Sequence, residues 1–138
     1  MVFYIAKDYS PYTGIRHCDT SDFSGEDFYH TKLNAAFKEA FEKKEKLTLV
    51  LDGSKDGYAP SFLDEALGNL VYDFGEENVR NHVEIVSERE SQWPAMLYQR
   101  TYPEWEKRRI DQNPPVQTAS HPAWYRLVNG KIECKVWN

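Results

Sequence analysis

The fold is decided by the sequence LTLVLDG at residues 47–53 and by SFLDEALGNLVYDFG at residues 61–75. The nearly continuous apolar run over 47–51 predicts a strand covered on both faces, as in the middle of an α/β sheet. Apolar residues at helical spacing after Ser61 predict a helix that ends at Gly75, a suitable C-cap. Ser61 is the predicted N-cap, with acidic residues in the turn that follows.

The flanking segments continue the alternation of strand and helix. Residues 2–6 predict a first strand, residues 83–86 predict a third, and a helix capped by Ser24 is predicted after the first of them. Residues 91–110 are predicted to be helical but interrupted, because Pro103 cannot continue a regular helix without a kink or a break. This order predicts a small α/β sandwich with a mixed, partly parallel sheet.

The last part of the chain is interpreted as a linker and a hairpin. Residues 111–122 contain three prolines, and Asn129-Gly130 then separates two β-prone runs. Asn-Gly is a strong hairpin signal because both turn positions need positive φ. We therefore expect an α/β domain over residues 1–110, with a Pro-containing linker and a β-hairpin over residues 111–138 appended to the same domain.

The composition restricts the class of protein. A chain of 138 residues with 41% hydrophobic and 14% aromatic residues has the size and the core of one globular domain. The formal net charge of −5 disfavours nucleic-acid binding, because contacts with phosphates need a basic face. Cys18 and Cys134 are expected to be free thiols. The N-terminus does not resemble a signal peptide and no apolar stretch has the length of a membrane span, so we expect a cytoplasmic protein.

The sequence has no motif for catalysis or for nucleotide binding. Glycine-rich phosphate loops are missing. The histidines show neither HExxH spacing nor zinc-site spacing with cysteine and are expected at the surface or in loops; they are His17, His30, His82 and His121. The neighbours His17 and Cys18 do not form a nucleophile–base pair by adjacency alone, because such a pair needs spatial contact. We therefore expect no catalytic residue, no metal ligand and no cofactor.

The strand and helix quoted first also carry a family resemblance. LTLVLDG, followed by YAPSFLDEALGNLV at residues 58–71, resembles the STAS-like family of unknown function, which is similar to the anti-sigma factor antagonists. Leu67 stands where the family pattern has an aromatic residue, and residues 83–87 fit the next strand of that pattern. The resemblance covers roughly residues 2–110 and implies a STAS-like α/β fold.

The resemblance also implies a function. Antagonists of this type bind an ATP-using anti-sigma kinase, and some are switched by phosphorylation of a serine at the loop-to-helix junction, where Ser61 stands here. Ala59-Pro60-Ser61-Phe62 replaces the usual Asp-Ser-Ser-Gly run. We expect a non-catalytic regulatory module that docks a partner protein, such as a histidine-kinase-like ATPase. The expected contact residues are Asp52, Lys55, Tyr58, Ser61, Phe62 and Asp64.

Two alternative interpretations stay open. The first is a small nucleotide- or metal-binding enzyme that uses the polar loop 7–23, with Arg16 and His17, together with Asp52 and Ser61. This loop is long for a connector, and loops of such length often carry function. The second is a homo-oligomer that associates through the aromatic hairpin, since Trp, Tyr and Arg are enriched at interface hot spots.

Overall fold

A three-stranded parallel sheet lies at the centre of the computed structural model, which describes residues 1–137. The strands pair in the order β1-β2-β3, and their bounds are β1 (Val2–Tyr4), β2 (Leu47–Val50) and β3 (Val83–Val86). The predicted central strand is confirmed. Leu47 and Leu49 are fully buried, whereas Thr48 and Val50 on the opposite face are half-buried. One face of the sheet is therefore covered less completely than the apolar run predicts.

Helices connect the strands and pack on the sheet. In chain order they are α1 (Gly25–Phe28), α2 (Asn34–Glu42), α3 (Pro60–Phe74), α4 (Glu76–His82), α5 (Gln92–Met96) and α6 (Tyr102–Ile110). π-helical turns join α1 to α2 over Tyr29–Leu33 and α5 to α6 over Leu97–Thr101, so each pair forms one continuous helix. A further π-turn, Ile5–Tyr9, follows β1 directly. The predicted strand over residues 2–6 is therefore too long and ends at Tyr4.

The π-turn between α5 and α6 explains how the chain passes Pro103. Proline has no N–H, and its ring collides with the carbonyl group one helical turn earlier. Immediately before Pro103, the amide of Tyr102 bonds to the carbonyl of Leu97, five residues back, which widens the helix locally. The predicted interruption is therefore a bulge within a continuous helix, not a break.

The two predicted N-caps have different outcomes. Ser24 caps α1 as predicted, because its hydroxyl accepts a hydrogen bond from the amide of Asp27 at 3.0 Å. The prediction for Ser61 is wrong: Ala59 is the N-cap of α3, and Ser61 lies inside the first turn. Pro60 occupies the first helical position, where the N–H that it lacks would have no partner within the helix.

Helix α3 is buried along most of its length and carries a polar stripe. Glu65, Asn69 and Asp73 follow one another at helical spacing, and each is at most 3% exposed. The Asn69 side chain donates to the Glu65 carboxylate at 2.8 Å. The outer two residues are paired by side chains from distant segments, Arg16 with Glu65 and Arg126 with Asp73. The stripe therefore fixes the early polar loop and the C-terminal hairpin on the same helix.

The predicted hairpin is present and is tied to α2 by one amide side chain. Strands β4 (Trp124–Val128) and β5 (Lys131–Lys135) are antiparallel, and the turn residues Asn129 and Gly130 have φ of 51° and 79°. The side-chain oxygen of Asn34 accepts from the amide of Tyr125 at 2.8 Å, and its amide nitrogen donates to the Tyr125 carbonyl at 2.9 Å. Asn34 thus satisfies the exposed backbone edge of β4 as a neighbouring strand would.

The α/β fold class predicted from the sequence is confirmed. Parallel and antiparallel pairing occur in separate sheets, β1-β2-β3 and β4-β5, instead of in one mixed sheet. Trp124 of the hairpin joins the same hydrophobic core as the parallel sheet. Among the helices of residues 1–137, none combines the length and the apolar character needed to cross a membrane.

Gly68 marks the closest approach of α3 to α6, and its replacement tests this packing. Alanine is favoured over glycine in an open helix by about 1 kcal/mol. Here a Cβ at position 68 would overlap the indole ring of Trp105. We expect Gly68→Ala to lower the free energy of unfolding by about 1–3 kcal/mol in urea titrations, because overpacking outweighs propensity.

A double-mutant cycle provides the control for this prediction. In a Trp105→Leu background the overlap is relieved, so the cost of Gly68→Ala should shrink or change sign. An equal cost in both backgrounds would show that the indole is not the obstacle.

Candidate functional site

Two of the six predicted contact residues are core residues. The Tyr58 side chain is 9% exposed, and its hydroxyl donates to the carbonyl of Leu51 at 2.7 Å. Phe62 is fully buried and stacks on Phe28 with ring centroids 5.7 Å apart. The expectation that Tyr58 and Phe62 face a partner is therefore corrected. Their apolar rings are needed to fill the space between α1, α3 and the end of β2.

The Asp52 side chain is hydrogen-bonded to the backbone of a neighbouring loop. Its carboxylate accepts hydrogen bonds from the amides of Glu88 at 3.0 Å and Arg89 at 3.0 Å. These amide donors lower the pKa of Asp52, because they favour the charged carboxylate. Asp52 thus links the end of β2 to the loop that follows β3, and its lone pairs are used inside the fold.

Asp64 is also engaged within the protein. Its carboxylate accepts from Arg16 Nη1 at 2.8 Å, from the Thr101 hydroxyl at 2.9 Å and from Trp105 Nε1 at 3.3 Å. Arg16 Nη1 also lies 3.0 Å from Glu65 Oε1. Asp64 therefore connects the early loop, α3 and the π-turn before α6, and Arg16 is bound between two carboxylates.

Ser61 and Lys55 keep accessible side chains. Lys55 is exposed, and Ser61 is half-buried at the rim of a cleft of about 190 Å³. The cleft is lined by Arg16, Pro60, Ser61, Asp64, Met96, Arg100, Thr101 and Glu104. Arg100 is exposed and makes no ion pair with any residue in the range 1–137. The first turn of α3 is thus bordered by two guanidinium groups.

A second polar cluster, which we call the Glu26 cluster, consists of His17, Cys18, Glu26, Thr118 and His121. Glu26 is 1% exposed at the start of α1. Its carboxylate accepts from the Thr118 hydroxyl at 2.7 Å and amide at 2.8 Å, and lies 2.6 Å from His121 Nε2. His17 Nδ1 lies 3.1 Å from Glu26 Oε1, and the Cys18 amide donates to the same oxygen at 3.2 Å. The cluster joins the polar loop, α1 and the linker before β4.

The pKa of Glu26 reflects two opposing effects. Burial raises it, because a carboxylate loses its hydration. The hydrogen bonds from Thr118, His121 and Cys18 favour the charged form more strongly and bring the pKa down to about 2. Glu26 is therefore a buried carboxylate that stays ionised at neutral pH.

The cluster also has the composition of a metal site. One potential ligand atom from each of Cys18, Glu26 and His121 lies within 4.8 Å of the other two, the one such grouping found across residues 1–137. The thiol of Cys18 lies 3.2 Å from the hydroxyl of Ser24. Burial raises the pKa of the Cys18 thiol, so the sulfur is protonated at neutral pH. A neutral thiol is a poor nucleophile.

Two histidines expected at the surface or in loops have buried side chains. His30 is 5% exposed on the π-turn after α1, and the His121 side chain is 3% exposed. Their rings stack with centroids 4.1 Å apart, and Trp124 packs edge-on against His30. Burial and the neighbouring His121 lower the pKa of His30 to about 3, so its ring is neutral. The expectation of a surface or loop position is therefore wrong for His30, which is buried within a helix, whereas His121 does lie in a loop.

The sequence did not indicate the Glu26 cluster, because two of its members, Thr118 and His121, are far along the chain from the other three. Glu26 is separated by 92 residues from Thr118 and by 95 from His121. The available signal was the length of the polar loop 7–23. The alternative interpretation paired this loop with Asp52. Instead His17 contacts Glu26 and Arg16 contacts Asp64, while Asp52 bonds to the loop after β3.

Another cleft, of about 640 Å³, lies between the end of α3, α4 and the hairpin turn. Its charged lining residues are Asp73, Glu76, Glu77, Glu106, Arg109 and Arg126. Both arginines are paired with carboxylates, Arg109 with Glu106 and Arg126 with Asp73. Burial raises the pKa of Asp73 to about 6 even though Arg126 favours its charged form. An excess of acids makes this cleft unfavourable for phosphate groups.

Replacing Glu26 with glutamine tests the energetic role of its charge. The pKa of about 2 lies below the ordinary value of 4.5. The ionised carboxylate therefore stabilises the fold above about pH 4.5, and this stability is lost as the pH falls towards 2. We expect the wild type to exceed Glu26→Gln by roughly 3 kcal/mol in unfolding free energy at pH 7. The difference should shrink steadily in urea titrations below pH 4.5.

Glutamine has the same shape as glutamate, so Glu26→Gln leaves His30 in place. Any loss of stability from protonation of His30 at low pH is then the same in the wild type and in Glu26→Gln. Glu39→Gln, at an exposed residue of α2, serves as the matched control and should show little difference at any pH. A difference between wild type and Glu26→Gln that is independent of pH would contradict the role assigned to the charge.

Comparison with known proteins identifies the family. Residues 24–93, which are just over half of the chain, match the STAS-like domain of unknown function (DUF4325). This match spans the helix capped by Ser24, β2, α3, α4, β3 and the start of α5. Comparisons with curated proteins and with solved structures gave no match. The chain belongs to the family of STAS-like domains of unknown function.

Proposed function

We propose that this STAS-like domain is a non-catalytic regulatory module that docks a partner protein at the first turn of α3. We name the docking area the Ser61 surface and define it by the cleft residues Arg16, Ser61 and Arg100. The exposed Lys55, in the loop before α3, is a proposed additional contact. The observation that carries the proposal is the accessible Ser61 side chain in a cleft beside two arginines. Arginine is enriched at interface hot spots.

The size and occupancy of this cleft favour docking over catalysis. Small-molecule sites usually enclose about 300–1,000 Å³, and this cleft measures about 190 Å³. The carboxylates of Asp52 and Asp64 are already satisfied by donors from the protein. A shallow cleft with the guanidinium of Arg100, unpaired within residues 1–137, at its rim suits a side chain or a short acidic segment of a partner.

Ser61 is also a suitable position for phosphorylation, as the resemblance to antagonists implies. A phosphate adds about −1.5 to −2 charges at neutral pH. In the first turn of the 15-residue helix α3 it would meet the positive end of the helix dipole. Arg100 would pair with it, so the modification would change the charge of the docking surface. Phosphorylation is therefore the proposed switch for partner binding.

The proposed partner is a histidine-kinase-like ATPase, because antagonists of this type bind such enzymes. Cys18 and Cys134 are unpaired thiols, and free cysteines are typical of reducing compartments. We infer that the complex forms in the cytoplasm.

Variants of the Ser61 surface test the proposal. The partner is captured from extracts of the native host and purified, and its affinity for each variant is measured by calorimetry. We expect Ser61→Ala to bind like the wild type. Ser61→Asp and Arg100→Glu should weaken binding at least tenfold, because they alter the charge of the surface. Lys131→Glu, on the exposed hairpin outside the cleft, is the charge-matched control and should bind normally.

Three results would oppose the proposal. The first is the absence of any stoichiometric partner in the extract. The second is unchanged affinity of both Ser61→Asp and Arg100→Glu. The third is an equal loss of affinity in Lys131→Glu, which would move the interface to the hairpin or indicate a general charge effect.

A second candidate function is self-association through the hairpin. Val136 and Trp137 beyond β5 are 64% and 41% exposed, and Val116 of the linker is 58% exposed. We propose that these apolar side chains contact a second copy of the chain. Sedimentation velocity should show a dimer that Trp137→Ser dissociates and Tyr12→Ser, an exposed aromatic residue of the early loop, leaves intact. A monomeric wild type would exclude this function.

A further inference from the structure

We propose that the Glu26 cluster binds a Zn²⁺ ion through Cys18, Glu26 and His121, with His17 as the fourth ligand. This site is distinct from the Ser61 surface and does not depend on the docking function. Thiolate sulfur, imidazole nitrogen and carboxylate oxygen are the three ligand types that zinc takes from proteins. The thiolate disfavours Mg²⁺ and Ca²⁺, which prefer oxygen ligands.

The distances allow a tetrahedral site after a small adjustment. Zinc–ligand bonds of about 2.0–2.3 Å place tetrahedral ligand atoms roughly 3.3–3.8 Å apart. The ligand atoms of Cys18, Glu26 and His121 already lie within 4.8 Å of one another. His121 Nε2 lies 2.6 Å from Glu26 Oε2, so it must retreat by about 1 Å to admit the ion.

His17 offers a further imidazole nitrogen beside the Glu26 carboxylate. Its Nδ1 is 3.1 Å from Glu26 Oε1 and the side chain is 23% exposed. The partial exposure gives the ring room to turn towards the ion. It also provides the route by which the ion enters, since Glu26 and His121 are closed off from solvent.

The charges of this ligand set suit a buried zinc ion. A Cys18 thiolate and the Glu26 carboxylate together neutralise the two positive charges, and both imidazoles bind in the neutral form. The thiol proton is released to solvent when the Zn–S bond forms. The site is therefore electrically balanced, as the interior of a protein requires.

The residues around the ligands hold them in position. The amide and hydroxyl of Thr118 orient the Glu26 carboxylate, and the Ser24 hydroxyl lies within hydrogen-bond distance of the Cys18 sulfur. The His30 ring stacks on His121 and restrains its rotation. Such outer contacts commonly orient metal ligands and tune their basicity.

The topology indicates a structural role for the ion. Its ligands come from the polar loop 7–23, from α1, which follows that loop directly, and from the linker 111–122, whose His121 is 95 residues away from Glu26. A zinc ion would link these three segments and fasten the linker to the domain. Binding to the folded state alone would raise the stability of the whole chain.

Cobalt substitution tests the site directly. The tag-free chain is stripped with a chelator and titrated with Co²⁺, which reports thiolate ligation by a near-ultraviolet charge-transfer band and tetrahedral geometry by intense visible bands. We expect both features to saturate at one ion per chain and to disappear when Zn²⁺ is added. Zn²⁺ should also raise the melting temperature of the stripped protein.

The two cysteines provide a matched pair of variants. Cys18→Ser should lose the charge-transfer band and the thermal shift, whereas Cys134→Ser, at the exposed hairpin cysteine, should retain both. Far-ultraviolet circular dichroism checks that each variant is folded. If Cys18→Ser does not fold, His121→Gln replaces it as the site variant. The proposal is overturned if the wild type shows no thiolate band, if the band survives in the folded site variant, or if Cys134→Ser loses it.

Discussion

The requirement that buried polar groups find partners determines how the outer segments of this protein lie on its core. Helix α3 carries Glu65, Asn69 and Asp73 on one line, and all three are excluded from solvent. An unpaired buried charge costs several kcal/mol, so each carboxylate needs a cation or a donor. Arg16 from the polar loop and Arg126 from the hairpin meet this need at the two ends of the stripe. The position of both segments follows from that constraint.

The Glu26 cluster applies the same principle at the start of α1. A carboxylate buried at a helix start draws in Thr118 and His121 from the linker and Cys18 from the polar loop. Asn34, an uncharged side chain, likewise holds the hairpin by hydrogen bonds to the backbone of β4. Hydrogen bonds to charged groups are worth about twice those between neutral groups. The C-terminal third is therefore attached to the domain by polar contacts as well as by Trp124.

These contacts separate the molecule into two regions with different chemistry. Around the first turn of α3, Asp64 and Arg16 are paired with each other inside the fold, and the exposed side chains of Arg100 and Glu104 line a shallow cleft. Around Glu26, sulfur, nitrogen and oxygen atoms converge in the interior. The first arrangement suits recognition of another protein surface, and the second suits the binding of a small cation. Arg16 and His17 are sequence neighbours, and Arg16 belongs to the first region whereas His17 belongs to the second.

The sequence by itself determined the order of strands and helices, the parallel central strand, the Ser24 cap, the Asn129-Gly130 hairpin and the family. These features depend on short-range patterns of polarity and on the φ preferences of single residues. It predicted the wrong cap for α3, because Pro60 in the first helical position makes a side-chain cap at Ser61 unnecessary. Tertiary structure alone decided that Tyr58 and Phe62 are buried. It also decided that the carboxylates of Asp52 and Asp64 accept hydrogen bonds from other parts of the protein. Only the folded chain brings Cys18, Glu26 and His121 together. Those outcomes depend on contacts between residues far apart in the chain, which local patterns of sequence do not encode.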